Sequence, residues 1–369
     1  MRKRSRRRAW PLAAAALVVA AVAAVATLAR ADGPHRAPTA SDPGPAAAAH
    51  PAPASATGGP LAGRGLYVDP GSDAAVQVRE WIAQGRTADA RALVAIAGRP
   101  AAIWVTAGPG PVRERVDAVV SRAAAAGQVP VLVAYNIPHR DCGSFSAGGA
   151  ASAAEYRAWI RGFAAGIGNR TAVVIVEPDA VPHMVDGCAD GVAQRYALLR
   201  DAVAVLKATG SALVYLDAGN PGWITDTTRL AAALREAGVG QADGFALNVA
   251  NFVTTADNIT FGDRVAAELG GRAHFVIDTS RNGAGPVHGA SIDGGPRWCN
   301  PPGRALGPAP TTSTGRPRLD ALLWIKNPGE SDGACRPGEP PAGKWWPQYA
   351  LDLVRRPAPS GPPTERRPG

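Results

Sequence analysis

The stretch that most limits how this chain can fold is a predicted β-α-β unit. Two short apolar runs rich in β-branched residues, Val129–Tyr135 and Ala172–Val176, are typical of strands buried on both faces. Between them, Ala151–Ile167 repeats large apolar residues every three or four positions, as an amphipathic helix does. Asp141 follows the first strand, and Glu177 and Asp179 follow the second, so parallel strands would bring these acids to one edge of the sheet. Two carboxylates that face one cleft are the minimum for general acid–base hydrolysis.

The alternation of strand and helix continues along the chain and predicts the fold class. Strand-like runs are Leu66–Val68, Ala102–Val105, Val129–Tyr135, Ala172–Val176, Ala212–Asp217, Gly244–Leu247, His274–Asp278 and Leu322–Ile325. Helical patterns are Ser72–Gln84, Val112–Ala126, Ala151–Ile167, Val192–Thr209, Thr227–Ala237 and Phe261–Leu269. A Gly-rich nucleotide loop does not follow the first strand. The pattern therefore predicts an α/β fold, a distorted parallel (β/α) barrel of seven or eight strands in a single catalytic domain.

The two ends of the chain differ in composition from its middle. Residues 1–31 combine a basic start, an Ala/Val/Leu stretch and an A-x-A cleavage pattern, which predicts a signal peptide, with an uncleaved membrane anchor as the alternative. Residues 32–62 are rich in Pro and Ala and predict a disordered linker, and residues 357–369 a disordered tail. The catalytic barrel is thus predicted for residues 63–356. We expect a secreted, extracellular protein or, alternatively, one anchored in a membrane and facing outside.

Charge gives no reason to expect nucleic acid as a partner. The chain has 39 Lys and Arg against 30 Asp and Glu, but seven of the basic residues lie in residues 1–31. Without that segment the excess of positive charge is only +2. A nearly neutral protein does not attract a polyanion. We also expect a monomer with no stable protein partner.

Polar and aromatic residues follow several predicted strands and suit a sugar ligand. Carboxylates and amides bind hydroxyl groups, and indole faces cover the apolar faces of sugar rings. Trp81, Trp159 and Trp324 lie inside predicted elements and are expected in the core. Asp278 is expected to hold loops by hydrogen bonds. The residues expected at the rim of the barrel are Trp104, Tyr135, Asp141, Asp179, Asp217, Trp223, Asn248, Asn251, Trp298 and Asp332.

Eight sequence blocks, in order, resemble glycoside hydrolase family 6. They are GLYVDP (65–70), YNIPHRDCG (135–143), VVIVEPDA (173–180), YLDAGNPGW (215–223), FALNVANF (245–252), IDTSRNGAGP (277–286), WCNPPGRALG (298–307) and IKNPGESDG (325–333). The resemblance covers nearly all of residues 65–352. It implies an inverting β-1,4-glucanase that acts on cellulose or related glucans.

The resemblance also implies roles for single residues. Asp179 matches the general acid, whose pKa must be raised so that it keeps a proton near neutral pH. Asp141 matches the neighbouring carboxylate that raises it, and Asp332 the proposed base. Ser146 matches a serine that positions water, and Tyr135 a tyrosine that pushes the reacting sugar off its chair. Asp217 matches a supporting carboxylate, with loop hydrogen bonding as the alternative. The residues that match substrate-binding positions or are expected to bind sugar are Trp104, Asp217, Trp223, Asn248, Asn251, Trp298, Lys326 and Glu330.

The four cysteines allow three disulfide pairings. An exported protein can form disulfides, and the resemblance implies the pairs Cys142–Cys188 and Cys299–Cys335. The cysteines stand singly without C-x-x-C spacing, and the histidines near loops, His183 among them, have no paired spacing. We therefore expect no metal and no cofactor, and read the histidines as surface or hydrogen-bonding groups.

The predicted mode of action is endo. The folded part is compact and the segment between Gly333 and Trp345 is short, which favours an open cleft. An exo-acting cellobiohydrolase, with a roofed cleft, is the first alternative. A non-catalytic carbohydrate-binding barrel is an alternative of another class, but it would have no need for Asp141, Asp179 and Asp332 together.

Overall fold

The sheet is the centre of the structure, a computed structural model that describes residues 59–356. Seven parallel strands stand in the order β1-β2-β3-β4-β5-β6-β9. The backbone N–H of Ala102, at the start of β1, donates to the carbonyl of Trp324, just after β9, at 2.9 Å, so the two edges meet. The predicted distorted parallel α/β barrel is confirmed. The strands are β1 (Ile103–Val105), β2 (Val131–Ala134), β3 (Ala172–Val176), β4 (Ala212–Asp217), β5 (Gly244–Leu247), β6 (His274–Asp278) and β9 (Leu319–Leu323).

Helices connect most of these strands. They are α1 (Asp73–Ala83), α2 (Thr87–Ala97), α3 (Val112–Ala125), α4 (Ala153–Ile167), α5 (Ala180–Asp186), α6 (Val192–Lys207), α7 (Thr227–Glu236), α8 (Thr255–Glu268) and α9 (Pro347–Arg355). Two short strands, β7 (Ser291–Ile292) and β8 (Gly295–Pro296), pair antiparallel in the loop after β6. In the part of the chain that is described, no helix is both long and apolar enough to cross a membrane.

Strand β3 shows why the apolar runs form this sheet. All five of its side chains are buried, with Val173 and Ile175 inside the barrel and Val174 and Val176 against the helices. Burying one such side chain contributes about 1.5–3 kcal/mol, which favours a strand enclosed on both faces. Inside the barrel, these residues meet the fully buried Leu61.

Helix α4 follows the sequence pattern that predicted it. The Ser152 hydroxyl accepts from the Glu155 N–H at 3.2 Å and caps the helix, which therefore starts two residues later than expected. Its apolar stripe, which includes Ile160 and Phe163, is buried against the sheet. The helix thus connects β2 and β3, the two strands after which Asp141 and Asp179 lie.

Several elements differ from the sequence prediction. Helices α2, α5 and α9 were not expected, and α8 begins six residues earlier than expected. Leu66–Val68 is not a strand, because only Leu66 pairs, in an isolated bridge with Val129. The last strand starts at Leu319, earlier than Leu322. The buried Leu61 shows that the folded part starts slightly before residue 63. The predictions for residues 1–31, for 32–58 and for the tail 357–369 lie outside the described residues.

Candidate active site

One large cleft, of about 1470 Å³, opens at the C-terminal ends of the strands. This is the end of a parallel α/β barrel where catalytic residues are expected. The acids after β3 and β9 both line it, as do most of the other residues expected at the site. The lining includes Trp104, Tyr135, Asp141, Ser146, Asp179, Trp223, Asn251, Trp298, Lys326, Glu330 and Asp332.

Asp179 lies at the point where β3 turns into α5. Its φ of 69° is in the left-handed region, and α5 begins at the next residue. Carboxylate oxygens of Asp179 and Asp141 and a ring nitrogen of His183 all lie within 4.8 Å of one another. Burial raises the pKa of Asp179, the charge of Asp141 raises it further, and His183 opposes the shift. A carboxyl group in this setting is suited to hold and donate a proton.

Asp141 begins a chain of hydrogen bonds that ends at Tyr135. Its Oδ2 accepts from the Ser146 N–H at 2.7 Å and from the Ser146 hydroxyl at 2.8 Å. The Ser146 Oγ lies 2.9 Å from the Tyr135 hydroxyl. Burial alone would raise the pKa of Asp141, but the nearby His183 and the hydrogen bonds from Ser146 outweigh this effect, and the pKa is lowered. Burial raises the pKa of Tyr135 well above its ordinary value, so its hydroxyl stays protonated.

Asp217 supports the acid from behind the cleft wall. Its side chain is buried, and its Oδ2 accepts from the backbone N–H of Asp179 at 2.8 Å. Burial and repulsion from Asp179 both raise its pKa. The expected contact with substrate is therefore corrected: Asp217 does not line the cleft but holds the backbone at Asp179.

Asn248 is also buried, away from the cleft surface. Its amide donates to the carbonyl of Asp278 at 2.8 Å and its carbonyl accepts from the Val253 N–H at 3.1 Å. With a φ of 65° it shapes the turn after β5, where asparagine is one of the residues that tolerate this conformation. The expected substrate contact is again corrected. Asp278 accepts backbone N–H groups from Ala250 and Lys326 at 2.9 Å, the loop-holding role expected for it.

Asp332 is held by two cations. Both of its oxygens lie 2.9 Å from nitrogens of Arg281, which is fully buried, and Oδ1 lies 3.9 Å from Lys326 Nζ. The N–H of Asn300 donates to Oδ2 at 3.0 Å. These contacts occupy most of the lone pairs that a base would use. In this arrangement Asp332 lines the cleft as a paired carboxylate.

Lys326 and Glu330 stand beside Asp332 in the cleft. Lys326 Nζ donates to the Ser331 carbonyl at 3.0 Å and lies 3.7 Å from Glu330 Oε2. Burial raises the pKa of Glu330, and Lys326 partly opposes the shift. This pair of charged groups can exchange its internal contacts for sugar hydroxyls.

Tryptophans supply apolar surface along the cleft. The indole N–H of Trp104 donates to the carbonyl of Ile325 at 2.8 Å, and its ring meets Tyr135 edge-on at 5.2 Å. Trp223 donates to Asp186 at 2.9 Å. These hydrogen bonds fix the rings while leaving area for sugar faces. Of the tryptophans expected in the core, Trp81 and Trp324 are buried and Trp159 is partly buried.

Two exposed aromatic rings from different loops meet at the cleft. Phe145 follows β2 and Trp298 follows β6, and both line the cleft. Their ring centres are 5.9 Å apart, although each residue keeps about two fifths of its surface exposed, 40% and 39%. We call this contact the aromatic bridge. The loops after β2 and β6 therefore contact each other at the cleft.

A protein-family model decides the identity of this fold and site. The model described as glycosyl hydrolases family 6 matches residues 61–357, which is most of the chain. This chain belongs to glycosyl hydrolases family 6. The family resemblance found in the sequence is confirmed.

The family 6 chain is similar to named relatives. It is 43% identical over 293 residues to endoglucanase A of Cellulomonas fimi, covering 79% of this chain and 61% of that protein. It therefore spans about three fifths of the length of that curated relative. The structure of the endoglucanase Cel6 from Mycobacterium tuberculosis, in complex with methyl-cellobiosyl-4-deoxy-4-thio-β-D-cellobioside, is 45% identical with a TM-score of 0.73, covering 80% and 97%. The 1,4-β-D-glucan cellobiohydrolase C of Emericella nidulans is 30% identical over 369 residues, covering 83% and 80%.

Both disulfides of this family 6 chain are formed as the resemblance implied. Cys142–Cys188 joins the loop after Asp141 to the residues after α5, and Cys299–Cys335 joins the segments that flank Asp332. Closing loops of this length contributes about 3–4 kcal/mol each by restricting the unfolded chain. Because the sulfurs are bonded to each other, the Cys142–His183–Cys188 group is not a set of free thiolate ligands.

Sequence reasoning gave no role in the family 6 site to four residues that the structure places in or beside it. Arg281 and Phe145 lie in loops whose packing no local pattern reveals, and His183 belongs to a helix that was not predicted. Glu177 follows β3 and received no role, yet its buried carboxyl group accepts from the N–H groups of Asn136 and Ile137 at 2.9–3.0 Å. Burial raises the pKa of Glu177 to about 7. An acid inside an otherwise apolar block was the available indication for Glu177, and an Arg next to a strand end for Arg281.

Proposed function

We propose that this chain is an inverting endo-β-1,4-glucanase that hydrolyses internal bonds of cellulose or related glucans. The observation that carries the proposal is the half-buried Asp179, whose pKa is raised, beside an ionised Asp141 in a cleft lined by tryptophans. The endoglucanase relatives, at 43% and 45% identity, support this activity more strongly than the cellobiohydrolase at 30%. We expect soluble or amorphous glucan as substrate.

The proposed reaction begins with proton donation. Asp179 gives its proton to the oxygen of the leaving sugar as the bond breaks, and the negative charge of Asp141 keeps that proton in place until then. Tyr135 presses on the reacting sugar and distorts its ring, which is a known contribution to glycoside hydrolysis. Trp104, Trp223 and Trp298 hold the neighbouring sugars by their flat faces.

The attacking water needs a base on the opposite side of the sugar. Asp332 is the residue that the family resemblance implies, and an inverting enzyme requires about 6.5–9.5 Å between its two carboxyl groups. Because Arg281 holds both oxygens of Asp332, we propose a second route for the proton of the attacking water. The Ser146 hydroxyl, hydrogen bonded to Asp141, can orient water and pass its proton to that carboxylate.

We propose an extracellular site of action. Two disulfides need an oxidising environment to form and persist. The predicted signal peptide agrees with this, and the anchored form remains the alternative for residues 1–31. The monomeric state is also a proposal.

The test compares the loss of viscosity of a soluble cellulose derivative with the release of cellobiose. Loss of viscosity of carboxymethylcellulose, with few reducing ends formed, is expected for endo action, whereas release of cellobiose with little loss of viscosity would favour the cellobiohydrolase. Absence of both would favour a carbohydrate-binding barrel. Asp179→Asn should lower kcat on unactivated glucan by about 10²–10⁴-fold because it cannot donate the proton, while the exposed Asp190→Asn serves as a matched control.

Stereochemistry tests the inverting mechanism directly. NMR of fresh products from a soluble cello-oligosaccharide should show the α-anomer first. The β-anomer as the first product would refute inversion, and near-full activity of Asp179→Asn would remove Asp179 from the acid role.

A further inference from the structure

His183 lies beside Asp141 and Asp179, which we call the acid site, although it has no role in the proposed reaction. It follows Asp179 by four residues on α5, which places the two side chains one helical turn apart. Its imidazole lines the cleft and only 13% of the side chain is exposed. A histidine in this position can carry charge in the pH range where a glycosidase works.

The contacts of the His183 ring are made mainly through its Nδ1 atom. Nδ1 lies 2.9 Å from the sulfur of Cys188 and 3.6 Å from Asp186 Oδ2. The ring meets Trp223 edge-on at 5.0 Å. Nε2 lies 3.9 Å from Asp141 Oδ1 and, among the described residues, has no hydrogen-bond partner although it is buried. The free nitrogen is therefore turned towards the pair of acids.

Within residues 59–356, the charged groups that act on His183 are acidic. Asp141 and Asp179 face it from the loops after β2 and β3, Asp186 from its own helix, and Asp217 from the end of β4. Burial alone would lower the pKa of His183, but Asp141, Asp179 and Asp186 outweigh this effect and raise the pKa. The imidazole is therefore a cation over a wider range of pH than an exposed histidine.

We propose that His183 is a positioning residue of the acid site, whose imidazolium holds Asp141 beside Asp179 and sets the pH range of hydrolysis. The proposal rests on the proposed function. The positive charge favours the ionised form of Asp141 and weakens the hold of Asp179 on its proton. Removing it should therefore move both limbs of the pH profile in the same direction, towards alkaline pH.

The first test is the pH profile of kcat/KM on a soluble cello-oligosaccharide. His183→Gln should shift both limbs upward by about one pH unit, the lower end of what one neighbouring charge does to a carboxyl pKa. His183→Lys, which restores a positive charge, should shift them back. The control is His139→Asn, at an exposed position with a φ of 52° that asparagine tolerates. Thermal unfolding of each variant separates a loss of fold from a shift of the profile.

The second test does not depend on activity. NMR titration of the His183 ring should give a pKa above the ordinary value, and Asp141→Asn should lower it. If the chain hydrolyses nothing, the proposed function fails while this titration still reports on the His183–Asp141 pair, and a titration in the ordinary range refutes the pairing. The proposal is refuted if His183→Gln lowers kcat/KM at every pH without shifting the limbs of the pH profile. It is also refuted if Asp141→Asn leaves the pKa of the His183 ring unchanged.

Discussion

Arg281 offers the sharpest test of the structure because it is a fully buried cation with one acidic partner. Its guanidinium binds both oxygens of Asp332 at 2.9 Å, donates to the carbonyl of Ala250 at 2.6 Å and lies 4.4 Å above the ring of Phe252. Arg281→Met keeps much of the volume but leaves the buried carboxylate of Asp332 without its main partner. Removing one member of a buried pair costs about 3–5 kcal/mol.

The loss is measured by unfolding in urea, followed by tryptophan fluorescence, and by calorimetry. At the roughly 2 °C per kcal/mol expected for a large domain, Arg281→Met should lower Tm by about 6–10 °C. The control is Arg318→Met, which breaks a half-exposed pair with Asp263 at 3.0 Å and should cost less than about 1 kcal/mol.

A double-mutant cycle completes this experiment. Arg281→Met combined with Asp332→Asn should lose less stability than the sum of the two single variants, with a coupling of about 1–3 kcal/mol. The reasoning is refuted if Arg281→Met costs no more than Arg318→Met, or if the two single losses simply add.

Three further outcomes are expected. Tyr135→Phe removes the hydroxyl beside Ser146, so stopped assays should show a kcat about tenfold lower while unfolding changes by about 0.5–1.5 kcal/mol; an unchanged kcat would exclude a role for the hydroxyl. Trp298→Ala removes an exposed ring, so KM for a soluble cello-oligosaccharide should rise roughly three- to tenfold with Tm unchanged; a large fall in Tm would show a structural role instead. Burial raises the pKa of Glu177 from its ordinary 4.5 to about 7 in the folded state. The stability that this group contributes is therefore full below pH 4.5 and is lost as the pH rises through 7. In urea unfolding, Glu177→Gln should therefore gain on the wild type by on the order of 3 kcal/mol between pH 4 and pH 8, and parallel pH curves would contradict the shift.

Much of the fold could be predicted because strands buried on both faces consist of short apolar runs that are recognisable in the sequence. The predicted bounds of β3, β4, β5 and β6 agree with the structure. Helix α5 was missed because it has only seven residues and follows directly on Asp179, without a capping side chain. Helix α2 was missed because it follows α1 after a short turn, where the alternation of strand and helix is broken.

The candidate site also has residues that could be predicted from the sequence and residues that could not. Asp141, Asp179 and Asp332 could be placed in one cleft because parallel strands end at the same edge of the sheet. Their partners could not, since Arg281 and Asp332 are 51 residues apart and meet only through the packing of two loops. Asn248 illustrates the opposite error, and Asp217 does so only for its expected substrate contact, because a polar residue after a strand can hold backbone as well as substrate.

The two disulfides make the cleft dependent on its chemical surroundings in a way that the barrel is not. None of the seven strands of the described sheet carries a cysteine, so the core can assemble without thiol oxidation. The segments around Asp141 and Asp332 are the parts that the bridges hold. Reduction would therefore untie the loops that line the cleft first, and at about 3–4 kcal/mol for each bridge it would also lower the stability of the whole fold.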